Sequence, residues 1–219
     1  MDNKINNKNM NKINNDEKII LDYFNKIIKQ YKKGPKAVGY GNRNSQKVRF
    51  QVLSEIGNLN GKSILDVGCG FGDLYGFLVN DKKFKLKRYL GIDTNPNMIF
   101  TAKKKYPKAE FMVGDLREKL PKEHFDYVLE SGIFNIKVAN WEKITYKVLV
   151  RMYEMSKIGM GINFLSMLSP FEKDKRSHYV DPCEMLNFIF INFTPKVVFR
   201  HDYRPNDFTV FVYKNFTKK

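Results

Sequence analysis

The stretch Ser63–Asp73, SILDVGCGFGD, constrains this chain more than any other part of it. Ile64, Leu65 and Val67 form a short apolar run interrupted by the acidic Asp66, and the run leads into three alternating glycines, Gly68, Gly70 and Gly72. A buried strand that ends in a Gly-rich turn and continues into helix-compatible sequence is how a parallel α/β sheet presents bare backbone to a ligand. The pattern predicts a strand over 63–67, a turn over the glycines and a helix over 73–79. It commits the rest of the chain to alternating strands and helices.

The remaining sequence has that alternation. Arg88–Asp93 (RYLGID), Ala109–Val113 (AEFMV), Phe125–Glu130 (FDYVLE) and Gly159–Leu165 read as strands. Pro96–Lys105, Asn140–Met155 and Asp181–Ile189 read as helices, the last with Asp181 as N-cap and Pro182 at the first helical position. Lys196–His201 and Phe208–Lys214 are rich in β-formers, and the segment Tyr203–Asp207 suits a hairpin-like connection between them. The expected fold is therefore α/β: a Rossmann-like, doubly wound, seven-stranded, mostly parallel sheet with one antiparallel edge strand.

Upstream, Ile20, Tyr23, Phe24, Ile27, Ile28 and Tyr31 fall at helical spacing behind Asn15 or Asp16 as N-cap, and Gly34-Pro35 ends that helix. A second helix, with Ser45 as its cap, is expected to about Ile56. These helices, residues 16–58, are expected to form an N-terminal helical lid on a domain spanning 59–219. Residues 1–15, almost entirely Asn and Lys, are expected to be a disordered tail.

Hydrophobic residues make up 42% of the 219, enough for a substantial core. No apolar run reaches membrane-spanning length, no signal peptide is apparent, and two cysteines, Cys69 and Cys183, are too few for a disulfide framework. A cytoplasmic protein is expected. The formal charge of +16 raises nucleic acid as a partner, although Lys dominates over Arg and a solvated lysine surface accounts for most of it. No cluster has metal-ligand spacing.

Four strand ends carry polar residues or glycine at their carboxyl tips: Asp66–Gly72, Asp93, Asp115 and Glu130–Ser131. Ligands of an open α/β sheet sit outside those tips. Gly68 and Gly70 let backbone approach closely, and Asp66 and Asp73 bracket the turn. Asp93 is placed to accept both hydroxyls of a ribose. Asp115 is suited to an exocyclic amine of adenine, and the Leu116 amide to a ring nitrogen. The dinucleotide fingerprint G-x-G-x-x-G is not met, since the third glycine comes one residue early, and no P-loop occurs.

SILDVGCGFGD, YLGIDTNPNMI, AEFMVGDL and FDYVLESGIFN together resemble the successive motifs of class I S-adenosylmethionine-dependent methyltransferases. The resemblance covers roughly Gly34 to Lys214. It implies that Gly68, Cys69 and Gly70 line the methionine part of the cofactor, that Asp93 binds its ribose with Thr94 alongside, and that Asp115 and Leu116 hold its adenine. It also implies that Ser131 lies near the sulfonium. The segment AVGYGNRNSQKVRF resembles the region before the first motif in a subgroup of small bacterial methyltransferases. That likeness implies that Tyr40, Arg43 and Arg49 face cofactor or acceptor, with Arg43 or Arg49 on the methionine carboxylate.

Methyl transfer from a sulfonium is an in-line displacement, and a base is needed only for a protonated acceptor. His178, in the polar segment after the fifth strand and beside Tyr179, is the first candidate for that base. Phe134 and Asn135 are candidates for the acceptor pocket. The reading is a methyltransferase acting on an oxygen or nitrogen of a small molecule. An RNA methyltransferase using the basic surface is the alternative, and a non-catalytic cofactor-binding subunit the third.

Overall fold

Side-chain alternation along each strand sets the architecture. The structure is a computed structural model that describes residues 2–118 and 123–214, with side chains from residue 15. Strands β1 (Ser63–Val67), β2 (Arg88–Asp93), β3 (Glu110–Val113), β4 (Phe125–Glu130), β5 (Ser156–Leu165), β6 (Val197–Arg200) and β7 (Asp207–Tyr213) form one seven-stranded sheet in the order β3-β2-β1-β4-β5-β7-β6. The helices are α1 (Asp2–Tyr31), α2 (Arg43–Leu53), α3 (Asp73–Gly76), α4 (Pro96–Lys105), α5 (Trp141–Met155) and α6 (Pro182–Asn192).

Successive strand residues point to opposite faces. Ile64, Tyr89, Phe111 and Tyr127 enter a core with Phe50 and Leu53 of α2, Leu74 of α3 and Ile99 and Ala102 of α4. Their neighbours Leu65, Val67, Ile92 and Val128 enter a second core with Leu149 and Met152 of α5 and Met185 and Ile189 of α6. The sheet is thus covered on both faces, as a parallel sheet with apolar strands requires.

The reversed strand is β7, which runs antiparallel to both β5 and β6. It lies one position in from the edge, with β6 outermost. Burial explains the placement: Phe208, Val210, Phe211 and Val212 of β7 are all buried, whereas Val198 and Phe199 of β6 are exposed. A strand apolar on both sides needs neighbours that an edge does not supply.

Local capping differs from expectation at α2. Its N-cap is Asn42, whose Oδ1 accepts from the Ser45 N–H at 2.8 Å, while Ser45 Oγ accepts from the Asn42 N–H at 3.3 Å. Ser45 is the second half of a capping box, and the helix gives way to a 3-10 turn over Ser54–Ile56. Asp181 caps α6 as expected, accepting from Cys183 N–H at 2.8 Å, with Pro182 opening the helix. The helix after the glycines passes at Phe77–Asp81 into a wider π turn, beside Gly76, where Tyr106 occupies the space a Cβ would need. The backbone of α1 is helical from Asp2. The side chains of the segment expected to be a disordered tail, up to residue 14, lie outside the described residues.

Candidate functional site

β1 lies between β2 and β4, so the chain winds away from it in both directions and a crevice opens at its carboxyl end. The loops after β1, β2, β3 and β4 converge there on a cavity of ≈ 530 Å³. Its roof is N-terminal: Ile20, Leu21 and Phe24 of α1, with Tyr40, Gln46 and Phe50. Asp16 anchors α1 by accepting from Asn140 N–H at 2.9 Å, Asn25 accepts from Asn95 Nδ2 at 2.9 Å, and Glu17 pairs with Arg117 at 2.8 Å.

The glycine turn forms for reasons visible at two positions. Gly68 and Gly72 have φ of +71° and +73°, a region that favours glycine. A Cβ on Gly68 would overlap the Ile133 side chain, and one on Gly72 would lie 2.8 Å from the Phe111 ring. Asp93 fastens the turn, accepting from Gly70 N–H at 2.9 Å and from Asn95 N–H at 2.8 Å. A carboxylate offers about four lone-pair sites, so Asp93 keeps capacity for two ligand hydroxyls. Its pKa is raised by burial, against which the two N–H donors work.

The tips of β1 and β4 carry buried acids. Burial pushes the Asp66 carboxyl up to about 7, opposed by the Tyr89 hydroxyl that donates to it and aided by the charges of Asp93 and Asp73. Glu130 accepts from Asn163 N–H at 2.5 Å and Ile133 N–H at 3.3 Å, yet burial pushes it up to about 8. Asp73 accepts from Gln46 Nε2 at 3.0 Å and pairs with Lys105. Asp115 is engaged through both oxygens by Arg117, which outweighs burial and holds its carboxyl below the usual range.

At the mouth, the Tyr40 hydroxyl lies within donating distance of the Ser131 carbonyl oxygen, 2.9 Å, and of Ser131 Oγ, 2.8 Å. Burial raises the Tyr40 pKa, with the Arg49 charge opposing, so the phenol stays neutral. The Arg49 guanidinium lies 5.2 Å from the Tyr40 ring centroid and pairs with Asp207 of β7 at 2.6 Å.

Twelve of the residues singled out from sequence line this cavity: Tyr40, Asp66, Gly68, Cys69, Gly70, Asp73, Asp93, Thr94, Asp115, Leu116, Ser131 and Phe134. Five do not. Arg43 is exposed on the first turn of α2. Arg49 sits behind Tyr40, its charge spent on Asp207. Asn135 follows the lining segment, and its carbonyl accepts from His178 N–H at 2.9 Å. His178 is stacked on Trp141, with ring centroids 3.8 Å apart, and burial and Lys137 lower its pKa. Tyr179 turns the other way, its hydroxyl accepting from Asp174 N–H at 2.9 Å. The indole of Trp141, on which His178 stacks, is fixed by donating to the Phe134 carbonyl at 2.7 Å. None of the three histidines lines it.

Sequence reasoning missed Gln46, Asn95 and Arg117, which also line the cavity. Arg117 was findable, two residues beyond Asp115. Gln46 had no sequence signal, because its place depends on a hydrogen bond to Asp73, 27 residues away. Among the described residues no group of acids, histidines and cysteines is arranged to hold a metal ion.

The fold, with its cavity at the carboxyl ends of β1 and β2, is similar to that of class I methyltransferase domains. A family model described as a methyltransferase domain matches residues 64–156. A demethylmenaquinone methyltransferase of Chlorobaculum tepidum is 27% identical over 169 residues, 74% of this chain and 62% of that protein. A trans-aconitate 2-methyltransferase of an Enterobacter species is 26% identical over 128 residues, 58% of this chain and 47% of that protein. The chain thus spans about half to three-fifths of these curated relatives' lengths. Among solved structures, a magnesium protoporphyrin IX methyltransferase from Synechocystis, crystallised with S-adenosylhomocysteine, shares the fold with a TM-score of 0.66. It is 17% identical, and the match covers 91% of this chain and 100% of that one.

Proposed function

We propose that this protein transfers a methyl group from S-adenosylmethionine to an oxygen or nitrogen atom of a small-molecule acceptor. The observation that carries the reading is the roofed cavity at the switch point, ≈ 530 Å³, with acids at the tips of β1, β2 and β3 and an apolar roof from α1. A polymer needs an open groove, and α1 lies across this one. The names of the curated relatives, trans-aconitate and demethylmenaquinone methyltransferase, also denote small acceptors.

The residues fit the cofactor. Asp93 has free acceptor capacity for ribose hydroxyls. Asp115 and Leu116 flank the adenine, and the Gly68–Gly70 backbone receives the methionine portion. With Arg49 committed to Asp207, the Gln46 amide, which lines the cavity, is a side-chain donor for the methionine carboxylate; one of its N–H groups is used on Asp73. Asp66, which burial pushes up to about 7, complements a cation in the cavity when it is deprotonated.

When bound, S-adenosylmethionine supplies a methyl group already activated by its sulfonium. The protein's task is then placement, holding the acceptor atom about 3 Å away and in line. The Ser131 hydroxyl, oriented by Tyr40, is the polar handle at the tip of β4, and Phe134 is the apolar wall beside it. With no histidine on the cavity, the acceptor is one that reacts without a histidine base.

The test is transfer of tritiated methyl from S-adenosylmethionine by the purified chain into a deproteinised cell extract. Label is expected in the small-molecule fraction. Label confined to RNA, or no transfer by a chain that binds S-adenosylhomocysteine in calorimetry, refutes the reading.

A further inference from the structure

The roof of the site and the loop beside it form a face that is both basic and apolar. The loop follows β5. Its base is pinned: Met167 N–H donates to the Val180 carbonyl at 2.8 Å, and Lys137 N–H to the Arg176 carbonyl at 2.9 Å. From this base the tip carries Met167, Leu168 and Phe171 outward, 45%, 64% and 61% exposed. Large apolar side chains held exposed on a fixed loop mark a contact surface when they cluster.

The loop abuts the lid. Arg176 acts electrostatically on Tyr23 and Tyr31 of α1, and Asp174 on Tyr23. On the outer side of α1 and the turn after it, Lys18, Lys26, Lys29, Lys32, Lys33 and Lys36 are exposed. None of them is in an ion pair among the described residues. The acids of the same stretch are largely committed: Asp16 is buried on Asn140 and Glu17 pairs with Arg117, which leaves Asp22.

We propose that this face docks on an anionic lipid surface, with Leu168 and Phe171 entering the interface and the α1 lysines facing the headgroups. Charge complementarity selects an anionic partner. The apolar tip selects lipid over nucleic acid, because a phosphate backbone contact has no use for three exposed aliphatic and aromatic side chains. No described helix is long and apolar enough to cross a membrane, and a surface contact requires none. The lid of the catalytic cavity then faces the bilayer. If the methyl-transfer reading above holds, an acceptor dissolved in lipid reaches the site from that side.

The experiment is co-sedimentation of the full chain with vesicles of phosphatidylcholine, alone and mixed with phosphatidylglycerol. Binding to the mixed vesicles only is expected, weakened by salt and at least about tenfold weaker in the Leu168→Ser/Phe171→Ser variant, given what burial of two such side chains contributes. Circular dichroism and S-adenosylhomocysteine calorimetry verify that the variant is folded, and Phe171→Ser alone is a milder second probe. No binding to the mixed vesicles overturns the proposal. So does binding that both variants retain in full, which is charge alone, and so does displacement from vesicles by an RNA oligonucleotide that the variants bind equally well. Vesicle binding does not depend on catalysis, so its failure is separable from failure of the methyl-transfer reading.

Discussion

Asp207→Asn leaves a guanidinium buried without its counter-charge. The Arg49 and Asp207 side chains are 7% and 0% exposed and lie 2.6 Å apart. Burial works to lower the Arg49 pKa, but the charge and hydrogen bond of Asp207 outweigh it and the net shift is upward, so the guanidinium stays charged in the fold. Removing one partner of such a pair costs about 3–5 kcal/mol, because the remaining ion stays desolvated. Arg204 Nε, itself buried, lies 2.7 Å from the other Asp207 oxygen and loses the same counter-charge. In a chain of this size each kcal/mol lowers Tm by about 2–4 °C, so a fall of about 6–20 °C is expected. Urea unfolding followed by the emission of Trp141, the one tryptophan, and by circular dichroism measures the free energy. The two probes must coincide for a two-state value. The double replacement Arg49→Met/Asp207→Leu is expected to recover most of the loss, since it removes both desolvated charges. A loss below about 1 kcal/mol in Asp207→Asn, the value of an exposed pair, refutes the reasoning.

Asp93→Ala removes a charged acceptor of two loop N–H groups and of the proposed ribose. S-adenosylhomocysteine is expected to bind about tenfold more weakly or worse, and unchanged affinity in calorimetry contradicts the assignment. Gly68→Ala forces a Cβ into Ile133 at positive φ; calorimetry is expected to show cofactor binding lost and scanning calorimetry a lowered Tm, and a wild-type result in both rejects the turn geometry. Glu130, raised to about 8 by burial, holds a proton in the fold that the unfolded chain releases at about 4.3. Its contribution to stability is full at low pH and is lost as pH rises through about 8. Unfolding free energies from pH 5 to 9 are expected to fall less steeply in Glu130→Gln than in wild type, and identical slopes refute it.

The legible parts of the site were those set by neighbours in sequence. The Gly68–Gly72 turn, Asp93 at the end of β2 and Asp115 after β3 follow from a strand that must stop and a loop that must turn, and Gly68, Gly70, Asp93 and Asp115 line the cavity. The arginines and His178 were illegible. Each was judged by its residue type and its nearness to the strand tips, but Asp207 lies 158 residues from Arg49. Neither that pairing nor the stacking of Trp141 on His178 has a local signal.

By itself the sequence determined the alternation of strands and helices and the polar residues at the strand tips, because periodicity and turn chemistry act over a few residues. The tertiary structure alone decided that β7 sits inside the sheet, that Gln46 and Arg117 rather than Arg43 or Arg49 line the cavity, and that His178 stacks on Trp141 instead of lining it. Those outcomes depend on which distant side chain fills a space or neutralises a charge, and burial makes such long-range choices exclusive: a guanidinium held by Asp207 is not available to a ligand.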